Sequence, residues 1–190
     1  MGPIPPFWCG TARSEENRCQ STTSCPEFGV SFQRKIISWD QLPGWREEIR
    51  AQGRRLVVTN GCFDILHLGH VTYLENASQL GDILLVGVNG DASVRQLKGP
   101  DRPVNSESDR AALLASLESV GAVCIFEDVN ALRFLAAARP DIYVKGGDYT
   151  LETLNQDERS TVEGTGAQIR ILPVVPGKST SALLKKISRL

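Results

Sequence analysis

The stretch from Val57 to Tyr73 constrains the fold of this chain more than any other. It reads Val-Val-Thr-Asn-Gly-Cys-Phe-Asp-Ile-Leu-His-Leu-Gly-His-Val-Thr-Tyr, an apolar run that turns polar and then becomes helix-like. The pattern predicts a strand, a turn and a helix, with His67 and His70 at the start of the helix. A helix N-terminus offers unpaired N–H groups and the positive end of the helix dipole, so this place suits a phosphate group.

His67 and His70 are the only two histidines of the chain. Their spacing places them on one face of a helix, where two imidazoles can donate hydrogen bonds to an anion. Gly61 and Gly69 leave room for close approach of a ligand to the backbone. A metal site with Cys62 as third ligand is the alternative, but neither an HExxH motif nor a paired CxxC motif is present. A simple helix-capping role would account for one histidine more easily than for both.

Short apolar runs alternate with helical patterns over the remainder of the chain. Such alternation predicts an α/β domain with a doubly wound, five-stranded parallel sheet that is covered by helices on both faces. Ligands of such sheets bind at the carboxyl ends of the strands. The predicted strands are Leu56–Thr59, Ile83–Val88, Ala122–Phe126, Ile142–Val144 and Ile169–Leu172; the predicted helices are His70–Leu80, Asp109–Ser119, Ala131–Ala138, Leu154–Gly164 and Thr180–Ser188, besides one between Ser38 and Gly53 that Ser38 or Asp40 caps.

Basic residues follow the second predicted strand. Lys98 and Arg102 flank a Gly-Pro turn, and we interpret them as phosphate clamps on a mobile loop, with two solvated surface charges as the alternative. Ser106 has the position of a helix-capping residue. Arg110 would then lie in the first helical turn, where a cation opposes the dipole; it is either solvated or bound to an anion.

Two further motifs follow later strands. Lys145 and the glycines Gly146 and Gly147 favour close approach of an anionic or flat ligand, and Asp148 is a candidate partner of a sugar hydroxyl; a tight turn with positive φ explains the glycines equally well. Near the C-terminus, Gly177-Lys-Ser-Thr resembles the end of a phosphate loop. The upstream glycine of that motif is replaced by Leu172, so we reject a phosphate loop. Ser179, Thr180 and Ser181 instead offer hydroxyl and amide groups at the start of the last helix.

The motifs together resemble a known family. Gly61-Cys-Phe-Asp64 followed by His67-Leu-Gly-His70 is similar to the signature of the HxGH nucleotidyltransferases. The stretches Leu97–Ser106, Val144–Tyr149 and Gly177–Ser181 resemble the stand-alone D-glycero-β-D-manno-heptose 1-phosphate adenylyltransferases, over roughly residues 33–190.

This resemblance implies transfer of AMP from ATP to a heptose 1-phosphate, giving ADP-heptose for lipopolysaccharide or another surface glycan, and pyrophosphate. Mg²⁺ would be held mainly by the ATP phosphates, with no direct protein ligand. Resemblance and residue chemistry together assign catalysis to His67, His70 and Lys98, and cofactor binding to Asn60, Gly61, Cys62, Phe63, Asp64, Arg102, Lys145, Gly146, Gly147, Asp148, Tyr149, Ser179, Thr180 and Ser181.

Other functions stay open at this point. A cytidylyltransferase acting on glycerol 3-phosphate has a similar first motif, and a nucleotide-binding regulator without activity would share the fold. A redox enzyme with a dinucleotide cofactor is disfavoured because no G-x-G-x-x-G follows the first strand.

Composition sets the remaining expectations. The net charge of −1 and the pI of about 6.1 argue against a nucleic-acid partner, and no apolar stretch is long enough to span a membrane. Residues 1–30 lack periodicity and predict a disordered tail, so residues 31–190 would form the nucleotidyltransferase domain. The cysteines and the lack of a signal peptide predict a cytoplasmic protein. The expected partners are ATP and a sugar phosphate. Sequence leaves the oligomeric state undecided, with a homodimer as one alternative.

Overall fold

Six parallel strands form the sheet of this protein, seen in a computed structural model that describes residues 31–147, 150, 153–173 and 175–189. Their spatial order is β1-β4-β3-β2-β5-β6. The prediction of a parallel α/β sheet is confirmed, and the prediction of five strands is wrong. The tail over residues 1–30 lies outside the described residues. The strands are β1 (Ile36–Ile37), β2 (Leu56–Gly61), β3 (Ile83–Asn89), β4 (Ala122–Phe126), β5 (Ile142–Gly146) and β6 (Gln168–Leu172).

The additional strand, β1, lies at one edge of the sheet. Ile36 and Ile37 pair with Val123 and Cys124 of β4, directly after a 3-10 helix over Ser31–Lys35. A strand of only two residues contains too few positions to show an alternating or continuous apolar pattern. Its pairing with a strand far along the chain is therefore a tertiary event that local sequence does not report.

The helices begin and end close to the predicted positions, with one addition. Helix α3 (Asp91–Lys98) was not predicted. It lies just before the segment that sequence analysis treated as a mobile loop. It buries only Ser93 and Val94, which are too few positions to give a clear helical period. The first helix starts at Leu42, and Ser38 caps the turn that leads into it: the Ser38 hydroxyl accepts from the N–H of Gln41 (3.3 Å), and the Gln41 side chain accepts from the N–H of Ser38 (2.9 Å). The predicted cap by Ser38 is therefore confirmed. The helices are α1 (Leu42–Ala51), α2 (Leu68–Ser78), α3 (Asp91–Lys98), α4 (Glu107–Ala115), α5 (Leu132–Ala138), α6 (Gln156–Gly164) and α7 (Thr180–Ile187).

Strand residues alternate between two apolar clusters, one for each face of the sheet. Val58 and Leu85 belong to one cluster, whereas their neighbours Val57, Leu84 and Val86 belong to the other. Successive side chains of a strand point to opposite faces, so both faces are covered by packed helices. This is the doubly wound arrangement that the near-continuous apolar runs predict.

Strand β2 lies in the interior of the sheet, between β3 and β5. The chain leaves its carboxyl end at Gly61 and enters α2 at Leu68. The connection between them thus lies at the position where nucleotide-binding sheets of this class hold their ligands. In the part of the chain that the structure describes, no helix has the length and apolar character needed to cross a membrane.

Candidate active site

The two histidines lie side by side at the start of α2, directly after the loop that follows β2. His67 is the N-cap residue of α2 in extended conformation, and His70 is in the first turn. Their rings stack with centroids 3.9 Å apart and planes inclined by 15°, so the predicted common face is confirmed. A Cβ atom on Gly69 would lie 3.0 Å from Nδ1 of His67, which means that the glycine makes room for the histidine pair itself.

Burial gives both histidines unusual titration properties. It lowers the pKa of His70 to about 4, with a further contribution from the neighbouring His67. Burial also lowers the pKa of His67, and the charge of Lys178 adds to this effect. Both Nδ1 atoms are buried without a hydrogen-bond partner among the described residues. Because buried polar atoms are nearly always paired, two orphaned ring nitrogens at a helix N-terminus indicate a site for a polar ligand.

The lowered pKa of His70 predicts an acid-sensitive stability. Unfolded His70 takes up a proton near pH 6.5 but the folded residue does so only near pH 4, so the unfolded state binds more protons between these values and stability falls as the pH is lowered through this window. After allowance for partial exposure, we expect a loss of roughly 1 to 3 kcal/mol from this residue. Urea unfolding of the wild type and of His70→Asn at several pH values measures it.

In this comparison all other titrating groups are common to the two proteins. The difference in unfolding free energy between them should therefore change across the window, and be constant below about pH 4. An identical pH dependence for wild type and His70→Asn would contradict the burial of this imidazole.

The loop between β2 and α2 is held in place by the carboxylate of Asp64. This side chain is buried, and its Oδ1 accepts hydrogen bonds from the backbone N–H groups of Val104 (2.7 Å) and Asn105 (3.2 Å). Its Oδ2 forms an ion pair with Arg102. With these partners, Asp64 orients the loop and does not fit as a direct ligand of Mg²⁺.

The guanidinium group of Arg110 also holds the β2–α2 loop in place. It is completely buried and donates to the carbonyl oxygens of Cys62 (2.6 Å), Asn89 (2.8 Å) and Asn105 (3.1 Å). It also pairs with Asp91 at 2.8 Å. Of the two alternatives that sequence left open, the anion-bound one is therefore correct, and the anion is a carboxylate of the protein. Ser106 caps α4 as predicted, accepting from the N–H of Asp109.

Phe63 lies in this loop with a strained backbone. Its φ of 46° is in the left-handed region, which residues other than glycine rarely adopt. Its ring contacts His70 edge-on, with centroids 5.4 Å apart. Strain of this kind persists only where surrounding contacts enforce it, here the bonds made by Asp64 and Arg110 to the neighbouring residues.

Lys98 and Arg102 differ in their surroundings. Lys98 is the last residue of α3 and is exposed, so its predicted position in a mobile loop is wrong. Its positive charge opposes the rise in the pKa of the Cys62 thiol that burial causes, which places Lys98 near the β2–α2 loop. Arg102 is engaged by Asp64. Phosphate binding by either residue stays a prediction.

On the opposite side of β2, polar side chains connect the site to β5. The Tyr143 hydroxyl lies 2.7 Å from Oδ1 of Asn60 and 3.1 Å from Glu158. Lys145 lies 3.2 Å from the same carboxylate. Sequence analysis missed Tyr143 and Glu158, because one reads as a strand residue and the other as an ordinary helix-start carboxylate.

Gly146, the last residue of β5, and Gly147, which follows it, are each required for a different reason. A Cβ on Gly146 would lie 2.7 Å from the ring of Tyr73, so its small size is needed for packing. Gly147 has a φ of 108°, which requires glycine for conformational reasons. Positive φ therefore accounts for Gly147 and packing against Tyr73 accounts for Gly146, whereas close approach of a ligand to these glycines stays a prediction. Asp148 and Tyr149, which were also predicted to bind the nucleotide, lie outside the described residues.

The start of α7 meets the β2–α2 connection. The Thr180 hydroxyl lies 3.4 Å from the carbonyl oxygen of Ile65. Ser179 caps α7 by accepting from the N–H of Ala182 at 3.1 Å, and Ser181 is exposed in the first turn. The structure therefore brings the C-terminal motif to the histidine motif. Lys178, which sequence analysis did not select, arrives there with it.

The fold and the histidine pair are those of a nucleotide-binding α/β enzyme, and comparison with known proteins identifies the group. The model of the cytidylyltransferase-like family matches residues 58–184, so the chain belongs to this family of nucleotidyltransferases. Among the described residues, no group of three or more His, Cys, Asp and Glu side chains is placed to hold a metal ion.

Individual relatives agree with this assignment. The chain is 49% identical to "Bifunctional protein HldE" of Trichlorobacter lovleyi over 138 residues, covering 73% of this chain and 28% of the relative. It is also 49% identical to the protein of the same name from Nitratiruptor sp. over 153 residues, covering 80% and 32%. The chain thus spans about a third of these relatives.

One solved structure is matched over almost its whole length. It is the lipopolysaccharide core biosynthesis protein from Thermoplasma volcanium GSS1, with 31% identity and a TM-score of 0.53. The match covers 65% of this chain and 98% of that protein. Nearly the whole of that protein thus corresponds to about two thirds of this chain.

Proposed function

We propose that this nucleotidyltransferase transfers AMP from ATP to a heptose 1-phosphate and releases pyrophosphate. The observation that carries the proposal is the stacked pair His67 and His70 at the N-terminus of α2, with ring nitrogens left unpaired. Neutral imidazoles and free N–H groups at a helix start can donate hydrogen bonds to a phosphate. None of these groups carries a negative charge that would repel a second anionic substrate.

The reaction needs one displacement. An oxygen of the sugar phosphate attacks the α-phosphorus of ATP, the bond from this phosphorus to the α,β-bridging oxygen breaks, and its electron pair leaves with pyrophosphate. His67 and His70 stabilise negative charge on the phosphoryl oxygens by hydrogen bonds. Mg²⁺ enters with ATP as part of the substrate, where it neutralises phosphate charge.

A covalent enzyme intermediate is not part of the proposal. Cys62 is the thiol closest in sequence to the histidines, and burial raises the pKa of this thiol. A thiol that stays protonated is a poor nucleophile. Direct in-line attack by the second substrate is thus the simpler path.

The acceptor is proposed from relatives and motifs. Three stretches of this chain resemble heptose 1-phosphate adenylyltransferases, and the matching solved structure is described as a lipopolysaccharide core biosynthesis protein. The choice of adenine over cytosine rests on the same resemblance. A cytoplasmic location and a homodimer likewise stay predictions.

The test is pyrophosphate release with Mg²⁺, in which ATP and CTP are each combined with heptose 1-phosphate, glycerol 3-phosphate and phosphopantetheine. We expect turnover with ATP and heptose 1-phosphate only. Turnover with CTP and glycerol 3-phosphate would replace the proposal by a cytidylyltransferase. Binding of ATP without turnover of any pair would point to a nucleotide-binding regulator.

A further inference from the structure

The hydroxyl group of Tyr143 reaches the carboxyl end of β2, although the ring of this residue belongs to the apolar core. In the register of the sheet, Tyr143 of β5 lies beside Val58 of β2, and both residues belong to the same apolar cluster. Asn60 follows Val58 by two residues, so its side chain lies on the same face of the sheet. The phenol extends along this face, and its oxygen lies 2.7 Å from Oδ1 of Asn60.

Packing alone does not account for the Tyr143 hydroxyl. The side chain is completely buried, and a phenylalanine ring would fill the same space without a polar atom. A buried hydroxyl costs free energy unless it is hydrogen-bonded. The bond to Asn60 offsets this cost, and it also fixes a carboxamide at the edge where sheets of this class hold their ligands.

A carboxylate and an ammonium group flank the same phenol. Oε2 of Glu158, in the first turn of α6, lies 3.1 Å from the Tyr143 oxygen and 3.2 Å from Nζ of Lys145. A phenol has one hydrogen to donate, and the shorter distance assigns this hydrogen to Asn60. Lys145 balances the charge of Glu158, so the carboxylate can lie beside the phenol without taking that hydrogen.

The contact with Tyr143 occupies only one of the two polar atoms of the Asn60 carboxamide. Tyr143 donates to Oδ1, and within the part of the chain that the structure describes Nδ2 has no acceptor. Asn60 is half-buried near the end of β2, just before the loop that leads to the histidine pair. An N–H donor that is fixed at this place suits an oxygen atom of a bound nucleotide.

Tyr73 shows how a purely structural hydroxyl is bonded in this fold. Its oxygen lies 2.7 Å from the Thr59 hydroxyl, and it donates to the backbone carbonyl of Val144 at 3.0 Å. Tyr73 belongs to the apolar cluster on the opposite face of the sheet. Its hydrogen bonds thus end inside the core, whereas the bond of Tyr143 ends on a side chain that retains a donor.

We propose that Tyr143 is a positioning residue, whose hydroxyl orients the Asn60 carboxamide so that Nδ2 donates to an oxygen atom of the bound nucleoside triphosphate. This proposal rests on the nucleotidyl transfer proposed above. A carboxamide that is held before binding loses less rotational freedom when the nucleotide arrives, so its hydrogen bond contributes more to the affinity. Tyr143 acts through Asn60 and does not contact the nucleotide itself.

The test is a double-mutant cycle of ATP binding, measured by isothermal titration calorimetry with the full chain and Mg²⁺. Asn60→Ala should weaken ATP binding about tenfold, and Tyr143→Phe about three- to tenfold, the range for one neutral hydrogen bond. In the Asn60→Ala background, Tyr143→Phe should change the affinity less than about twofold, because the group that it orients is gone. Tyr73→Phe is the matched control, and its effect on ATP affinity should be equal in both backgrounds.

Two outcomes of the cycle contradict the proposal. Unchanged ATP affinity in Tyr143→Phe would mean that the hydroxyl is only structural, and an equal loss with and without the Asn60 carboxamide would mean that it acts by another route. The NMR signal of the Asn60 side-chain amide, assigned by its absence in Asn60→Ala, provides a check on the wild type. This signal should shift when ATP is added, and a constant signal would exclude contact between Asn60 and the nucleotide.

Turnover separates this proposal from the proposed function. If the wild type binds ATP but releases no pyrophosphate with any substrate pair, the proposed transfer fails while the cycle still decides the role of Tyr143. If pyrophosphate is released and the effects of the two substitutions are additive, the transfer stands and Tyr143 has no positioning role. A wild type that binds neither ATP nor CTP would refute both proposals.

Discussion

The His70→Ala protein is expected to lose at least about a hundredfold in kcat for pyrophosphate release, and to keep its fold. The imidazole stands in the first turn of α2, with a buried Nδ1 atom that has no partner among the described residues. An imidazole whose Nδ1 atom has no protein partner contributes little hydrogen-bond energy to folding, whereas in the proposed reaction the ring stabilises charge on the phosphoryl oxygens in the transition state. Steady-state kinetics and circular dichroism measure the two effects.

A control within the same helix separates chemistry from helix disturbance. Asn76 is exposed on α2, and Asn76→Ala should retain the wild-type kcat. A folded His70→Ala protein with undiminished turnover would remove this histidine from the mechanism.

The second large effect is expected from Arg110→Met, which should lower the free energy of unfolding by roughly 3 to 5 kcal/mol, the usual cost of removing one partner of a buried ion pair. The substitution leaves the carboxylate of Asp91 and the carbonyl oxygens of Cys62, Asn89 and Asn105 without their donor. Urea unfolding followed by fluorescence measures the loss. ATP affinity should fall too, since the Cys62 carbonyl anchors the β2–α2 loop.

An exposed ion pair supplies the comparison. Arg133 is 71% exposed and lies 3.4 Å from Asp128, so Arg133→Met should cost less than about 1 kcal/mol. Similar losses of unfolding free energy in the two variants would show that the contacts of Arg110 do not stabilise the loop more than an exposed ion pair does. Arg110→Lys should rescue only part of the stability, because one ammonium cannot replace the forked guanidinium toward several acceptors.

Local sequence was sufficient for the elements that depend on near neighbours. The apolar run of β2, the polar turn and the spacing of His67 and His70 predict a strand, a loop and a shared helix face, and the stacked rings confirm it. Strand β6 and helix α7 could be recognised in the same way. These features are decided by backbone periodicity and capping, which act over a few residues.

Roles of charged side chains could not be assigned in this way. Arg110 could be read as solvated or as anion-bound, and only its contact with Asp91 decides between them. Arg102 looked like a phosphate clamp, and the structure gives it Asp64 as a partner. A sequence states that a charge is present, but the cost of burying it and the identity of its partner depend on where the chain folds back.

The sequence alone determined the alternation of strands and helices, the class of sheet and the position of the histidine pair at the start of α2. The tertiary structure decided which side chains surround that pair. It alone brings Thr180 to Ile65 and Lys178 to Gly69, across more than a hundred residues, and it adds β1 at the sheet edge. Periodicity is a local property of the chain, whereas ion pairs and close packing arise between segments that meet only after the sheet has formed.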